Sequence, residues 1–127
     1  MALVVPFLFL ILFGIILFGM LLSFRQNLAQ AAAEGARAGA VAVAGQSQAD
    51  AQAAVNRAAD AFSQSCNNGA LTCTIPAPTL CPFPAAGPTC ITVRLELETD
   101  QVLPSIPFLD VILPDSINAQ SIAEVSR

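Results

Sequence analysis

Residues 1–44 read MALVVPFLFLILFGIILFGMLLSFRQNLAQAAAEGARAGAVAVA, and this stretch decides the fold. The segment up to Phe24 carries no charge, and as a helix it spans about 36 Å, more than the roughly 30 Å of a bilayer's hydrocarbon core. The alanine-rich segment that follows keeps the same helical register, and no flexible linker separates the two. The sequence therefore predicts one stiff helix from Met1 to about Ala44.

Small residues recur along the second part of this helix. Gly35 and Gly39 lie four apart, as do Ala36 and Ala40, and such a stripe allows helices to pack closely. The stripe packs either against other helices or only within the chain's own domain, and the sequence leaves both open. The helix-packing positions expected from this segment are Glu34, Gly35, Arg37 and Gly39.

A break and a second helix are expected next. Gly45 is suited to the end of a helix, and Ser47 with an acid three residues later forms a weak capping box. The second helix then runs from about Gln48 to Ser65. A straight continuation of the first helix is the alternative.

The rest of the chain predicts a small antiparallel sheet. Residues 91–98, ITVRLELE, alternate strictly between apolar and polar, which indicates a strand with one buried face. Residues 116–126 are expected to pair with it, and at most a short strand lies near 71–75. With two or three strands and one apolar face, the helices are the only available cover.

The predicted fold class is therefore α+β. Three parts are expected along the chain: a membrane or filament-core helix at 1–24, a helical stalk at 25–65 with a break at 45–47, and a disulfide-containing β ectodomain at 66–127.

The four cysteines favour disulfides. They lack the CxxC spacing of zinc ligands and lie among turn-forming residues. Short loops favour the pairs Cys66–Cys73 and Cys81–Cys90, although four cysteines allow two other pairings. Disulfides require an oxidising compartment and place this region outside the cytoplasm.

The charges raise a conflict over orientation. Arg25 follows the apolar segment and nothing basic precedes it, so the positive-inside bias alone would keep the C-terminal part in the cytoplasm. A basic leader that once preceded Met1 would resolve the conflict.

Catalytic and nucleic-acid-binding functions are not supported. The chain has no histidine and no lysine, so a nucleophile would lack its usual bases. Glu96 and Glu98 belong to the wet face of a strand and suit a solvated surface better than an acid/base pair. The five arginines are scattered singly and form no basic patch for a phosphate backbone. We expect neither an enzyme nor a cofactor.

The N-terminal half resembles the start of TadE-like pilins of the bacterial tight-adherence (Tad) system. Phe13-Gly14 and Phe18-Gly19 match an FG-x-x-x-FG-like pattern, and residues 32–37, AAEGAR, match the motif that follows. Family members usually carry an acid just before the position of Met1, and many have Glu where Leu17 stands. The first departure leaves the mature terminus open, and the second makes this segment wholly uncharged.

The resemblance implies a pilin-like subunit. Such a chain is made as a precursor in the inner membrane, trimmed by a prepilin peptidase, and assembled by Tad machinery into an extracellular homo-oligomeric filament. A minor subunit that primes or caps the pilus is an alternative, and a membrane-anchored binding ectodomain that never polymerises is another. A flexible linker would favour the last, and none is present between Phe24 and Ala33.

Two sets of residues are expected to contact other subunits. The apolar loop at 102–114 either roofs the domain or supplies Phe108, Leu109 and Ile112 to subunit contacts. The assembly helix is expected to use Leu3, Phe7, Leu10, Ile11, Gly14, Ile15, Phe18, Gly19, Leu21 and Leu22.

Overall fold

The computed structural model describes residues 4–82, 87–102 and 114–125. It has an α+β fold in which two helices cover one face of a small antiparallel sheet, as the sequence predicts. In chain order the elements are α1 (Val4–Val41), α2 (Ser47–Ala59), a 3-10 turn (Asp60–Phe62), β1 (Leu71–Thr74), β2 (Thr79–Leu80), β3 (Thr89–Glu98), the single helical turn α3 (Thr99–Val102) and β4 (Ser116–Glu124).

Helix α1 is one unbroken helix of 38 residues, about 57 Å long. It ends at Val41, three residues before the expected position, and Gly45 then takes a positive φ of 89°, which turns the chain before the second helix starts. The N–H of Gln46 donates to the carbonyl of Val43 at 2.9 Å and closes this turn. The break between two helices is therefore present, and the straight continuation is not.

Helix α2 is shorter than expected at its C-terminal end. Ser47 is its first helical residue, and the preceding residue, Gln46, makes no side-chain cap. After Ala59 the helix tightens into the 3-10 turn and stops at Ser63, whose φ of 57° is left-handed. Beyond this point the Asn56 side chain accepts a hydrogen bond from the N–H of Cys66 at 2.8 Å, which holds the following loop on α2.

Strand β3 is the centre of the sheet. Strand β4 pairs with one edge of it along nine residue pairs, from Cys90–Glu124 to Glu98–Ser116. Strands β1 and β2 follow one another along the opposite edge, so the described sheet has four strands but is only three strands wide. The two-residue β2 is the strand that the sequence pattern does not indicate.

The core lies between the sheet and the helices. Ile91, Val93, Leu95 and Leu97 of β3 are all buried, whereas Arg94, Glu96 and Glu98 are exposed, which agrees with the predicted alternation. The inward positions of β4 after Ile117 carry small residues, including Ala119 and Ala123, which lie against this core. Small side chains here let α1 approach the sheet closely.

Two disulfides and a hydrogen-bonded clamp fix the loops. The bonds are Cys66–Cys73, which ties the loop after the 3-10 turn to β1, and Cys81–Cys90, which ties the end of β2 to β3. This is the pairing that the sequence favours. At the other end of the sheet, the buried Thr99 hydroxyl donates to the carbonyls of Pro114 and Asp115, and its N–H donates to Asp115. The apolar loop expected to roof the core lies largely outside the described residues.

Candidate assembly surface

Helix α1 has two halves with opposite surroundings. We call residues 4–24 the outer half and residues 25–41 the packed half. Every buried residue of α1 belongs to the packed half, from Leu28 to Ala40. The most apolar 18-residue window of the helix, by contrast, has no buried residue. By length and composition α1 is able to cross a membrane.

The outer half exposes large apolar side chains in every direction. Phe7 is 67% exposed, Leu10 70% and Phe18 64%, although side chains of this kind are normally the core of a soluble domain. Such a continuous apolar surface far exceeds the patches that soluble monomers tolerate. The outer half therefore needs a cover that the rest of the chain, as far as it is described, does not provide.

The packed half buries a stripe of small residues against the domain. A Cβ added at Gly39 would lie 2.6 Å from Cδ1 of Ile91 and 2.9 Å from the carbonyl oxygen of Ser47. A Cβ at Gly35 would overlap Cγ2 of Val55. Of the two packing partners that the sequence leaves open, the chain's own domain therefore occupies this part of the stripe.

Two glycines of the outer half have no comparable neighbours. Among the described residues, a Cβ added at Gly14 or at Gly19 would meet nothing within 4 Å. Glycine costs a helix roughly 1 kcal/mol relative to alanine in water, and no contact with the described part of the chain compensates for this cost at these positions. Close approach of another helix is the compensation that glycines of this kind usually provide.

The boundary between the halves lies at Leu21 and Phe24. Both are half-buried and touch the core, together with Val102 from α3. The first contact between α1 and the domain is thus made at Leu21, about two turns before Leu28. Leu21 therefore faces the chain's own core, unlike the other described positions of the expected assembly helix.

A groove runs along the solvent side of the α1–α2 pair. Its floor consists of the small side chains of Ala38, Ala54 and Ala58. Exposed Glu34, Arg37, Val41 and Arg57 line its edges. Glu34 and Arg37, which the sequence assigns to helix packing, thus lie beside α2 at its surface, while Gly35 and Gly39 are buried.

The remaining expected contacts are not tested by the structure. Leu3, Phe108, Leu109 and Ile112 lie outside the described residues. The other described positions of the assembly helix, Phe7, Leu10, Ile11, Gly14, Ile15, Phe18, Gly19 and Leu22, are exposed.

Two features of this surface were missed at the level of sequence. The sequence shows Arg57 only as one of five scattered arginines, and its place in the same groove as Arg37 depends on the antiparallel return of α2 along α1. The contact of Leu21 with the core has a weak signal, since Leu21 lies seven residues before Leu28 and therefore on the same helix face. Among the described residues, no three His, Cys, Asp or Glu side chains form a cluster able to hold a metal ion.

A family model matches the N-terminal part of the chain and agrees with the resemblance to TadE-like pilins seen in the sequence. The model of the family described as TadE-like protein matches residues 1–37, which includes the whole outer half and the start of the packed half. That family is a component of Tad pili and is not known as an enzyme family. No curated protein and no solved structure matches the chain. Over residues 1–37 the chain is therefore similar to TadE-like proteins, and the match does not extend to α2 or the sheet.

Proposed function

We propose that this chain is a structural pilin subunit of a Tad-type pilus. It is held in the inner membrane before assembly and then polymerises through the outer half of α1 into an extracellular filament for surface adherence. A prepilin peptidase and a Tad-type assembly machinery are its proposed partners. The TadE-like match over residues 1–37 supports this assignment.

One observation carries the proposal. The outer half is exposed on all sides up to its last turn, where Leu21 and Phe24 touch the core, and it continues into the packed half within a single helix that has no hinge. A tethered ectodomain that acts alone has no need of a rigid connection to its anchor, and flexible linkers are usual in such proteins. A rigid connection does serve a polymer, because it fixes the position of each ectodomain relative to a shared helical core.

The energetics favour reburial over extraction into water. Each large apolar side chain that leaves lipid for water costs about 1.5–3 kcal/mol, and the outer half carries many of them. In a filament the same side chains are covered by identical helices of neighbouring subunits. The open positions at Gly14 and Gly19 would then serve as points of close helix approach.

The test is to isolate surface material. Cells that express the full chain with a Tad-type machinery are sheared, and the released material is purified and viewed by negative-stain electron microscopy. We expect filaments in which this chain is the predominant protein. A trace amount relative to another pilin would indicate a priming or capping subunit. Retention of all of the chain in the membrane fraction would contradict polymerisation and favour the anchored ectodomain.

A further inference from the structure

Two surfaces of the described ectodomain differ in their charge. The α1–α2 groove carries two exposed arginines, Arg37 and Arg57, and one carboxylate, Glu34, around its alanine floor. The end of the sheet where β3 meets α3 and β4 begins carries four exposed carboxylates: Glu96, Glu98, Asp100 and Asp115. We call the first surface the arginine groove and the second the acidic end.

The arginine on the sheet that lies nearest to the acidic end, Arg94, bonds to an amide and not to a carboxylate. Arg94 lies on the same exposed face of β3 as Glu96 and Glu98, but its Nη2 donates to the amide oxygen of Gln120 at 3.2 Å. In the groove, Nε of Arg57 donates to the carbonyl of Ala53 at 3.3 Å, which orients the guanidinium and leaves its other donors available.

The two surfaces lie at different levels along α1. Gly35 contacts Val93 and Gly39 contacts Ile91, so β3 runs antiparallel to α1. From the level of Val93, Arg37 lies two helical residues in one direction and Glu98 lies five strand residues in the other. At about 1.5 Å and 3.3 Å per residue, the two surfaces are separated by roughly 20 Å along the helix.

We propose that the arginine groove binds the acidic end of a second copy of this chain. This inference rests on the proposed filament. A copy displaced by roughly 20 Å along α1 brings its acidic end to the level of its neighbour's arginines, and the outer halves, about 31 Å long, still overlap. The contact joins two different surfaces, so it repeats from subunit to subunit and does not close into a dimer.

The physical role of this contact is to set the stagger between subunits. Apolar helices alone can slide along one another at little cost, because a uniform apolar surface has few distinguishable positions. Charge complementarity fixes register and rejects wrong placements, even where each exposed pair adds little affinity. The arginine fork is suited to carboxylates because it donates two parallel hydrogen bonds.

The experiment is a charge exchange in the full chain, expressed with a Tad-type machinery. One variant carries Arg37→Glu and Arg57→Glu, and the other carries Glu98→Arg and Asp115→Arg. Each variant alone should yield at least about tenfold fewer sheared filaments, since like charges now face each other. When both are made in the same cell, each subunit finds a matching neighbour, so mixed filaments should be restored to near the normal amount.

Matched controls are Arg94→Glu and Glu124→Arg, which reverse exposed charges outside the two surfaces and should leave filament yield unchanged. The membrane level and oxidised cysteines of every variant report that it folds. Normal filaments from both double variants would overturn the contact while leaving the proposed pilin function intact. Loss in the Arg37/Arg57 variant without restoration on co-expression would assign the groove to a different acidic partner and also overturn it. Absence of filaments from the unaltered chain would instead reject the proposed function.

Discussion

The two halves of α1 use apolar residues in opposite ways. In the packed half, the side chains that touch the domain are mostly alanine and glycine, with Leu28 as the one large residue that is fully buried. In the outer half, leucine, isoleucine and phenylalanine predominate and are exposed. Within this helix, most of the large apolar side chains therefore lie outside the described core, and Leu21, Phe24 and Leu28 are the ones that contact it.

This difference shows that hydrophobicity and burial within one chain are separate properties. The packed half is short of apolar volume because β3 supplies it, with Ile91, Val93, Leu95 and Leu97 reaching toward the helix. The outer half has no sheet beside it, so its large side chains remain available for lipid or for other subunits. One helix thus combines a folding surface with an assembly surface, and substitutions should separate the two.

The largest effect is expected from a charge placed in the outer half. Ile15 is 66% exposed, and Ile15→Asp would put a carboxylate into a surface that lipid or neighbouring helices must cover. We expect filaments to be abolished while the ectodomain still folds and forms both disulfides, because Ile15 lies outside its core. Electron microscopy of sheared material and non-reducing peptide mapping measure these two outcomes.

The matched control is Ala33→Asp, which adds the same charge at an exposed position of the packed half. Filaments should persist in that variant. Comparable filament yields from the Ile15 and Ala33 variants would show that the outer half is not an assembly surface.

The next largest effect compares one substitution in the two halves. Leu28 is fully buried, and Leu28→Ala should lower the free energy of unfolding by about 2–5 kcal/mol through lost burial and the cavity left behind. Leu10 is 70% exposed, so Leu10→Ala should leave it unchanged. Denaturant unfolding of the detergent-solubilised full chain checks both. Equal losses would mean that the outer half packs on the domain after all.

The sequence predicts this fold well where its patterns are local. The alternation in residues 91–98 predicts which face of β3 is buried. The uncharged segment up to Phe24 predicts that the outer half is covered by lipid or by other apolar helices. The turn at Gly45 was likewise visible, because a positive φ at this position favours glycine.

The features that the sequence did not indicate depend on contacts between distant residues. Strand β2 exists only because Thr79 and Leu80 come alongside Cys90 and Thr89, and two residues are too few to show a period. The position of Arg57 in the same groove as Arg37 depends on how α2 packs along α1, which no single segment encodes. The early end of α2 is set by the left-handed Ser63, a residue type with little preference for that conformation.

A smaller effect is expected when a methyl group is added at the glycines. Gly39→Ala places its Cβ 2.6 Å from Ile91 and 2.9 Å from a backbone oxygen, so we expect a loss of about 1–3 kcal/mol from overpacking. The added methyl group of Gly14→Ala meets none of the described residues within 4 Å, so this substitution should not lower the stability of the domain. In thermal unfolding, each kcal/mol that the Gly39 variant loses should lower its melting temperature by roughly 4–8 °C relative to the Gly14 variant. Equal melting temperatures would contradict the close approach at Gly39.

The smallest effect locates the boundary between the halves. Leu21 and Leu22 are neighbours in sequence, but Leu21 touches the core and Leu22 is 43% exposed. Because Leu21 is only half-buried, Leu21→Ala should lower the free energy of unfolding by about 1 kcal/mol, which is near the lower end for the truncation of an apolar side chain. Leu22→Ala should cause no measurable change in this free energy. Both substitutions remove the same atoms from a segment covered by detergent, so the detergent contribution cancels in the comparison. A loss in the Leu21 variant alone places the first contact of the folding surface about two turns before Leu28. Equal stabilities would move the boundary to Leu28 and shorten the rigid connection between the anchor and the ectodomain.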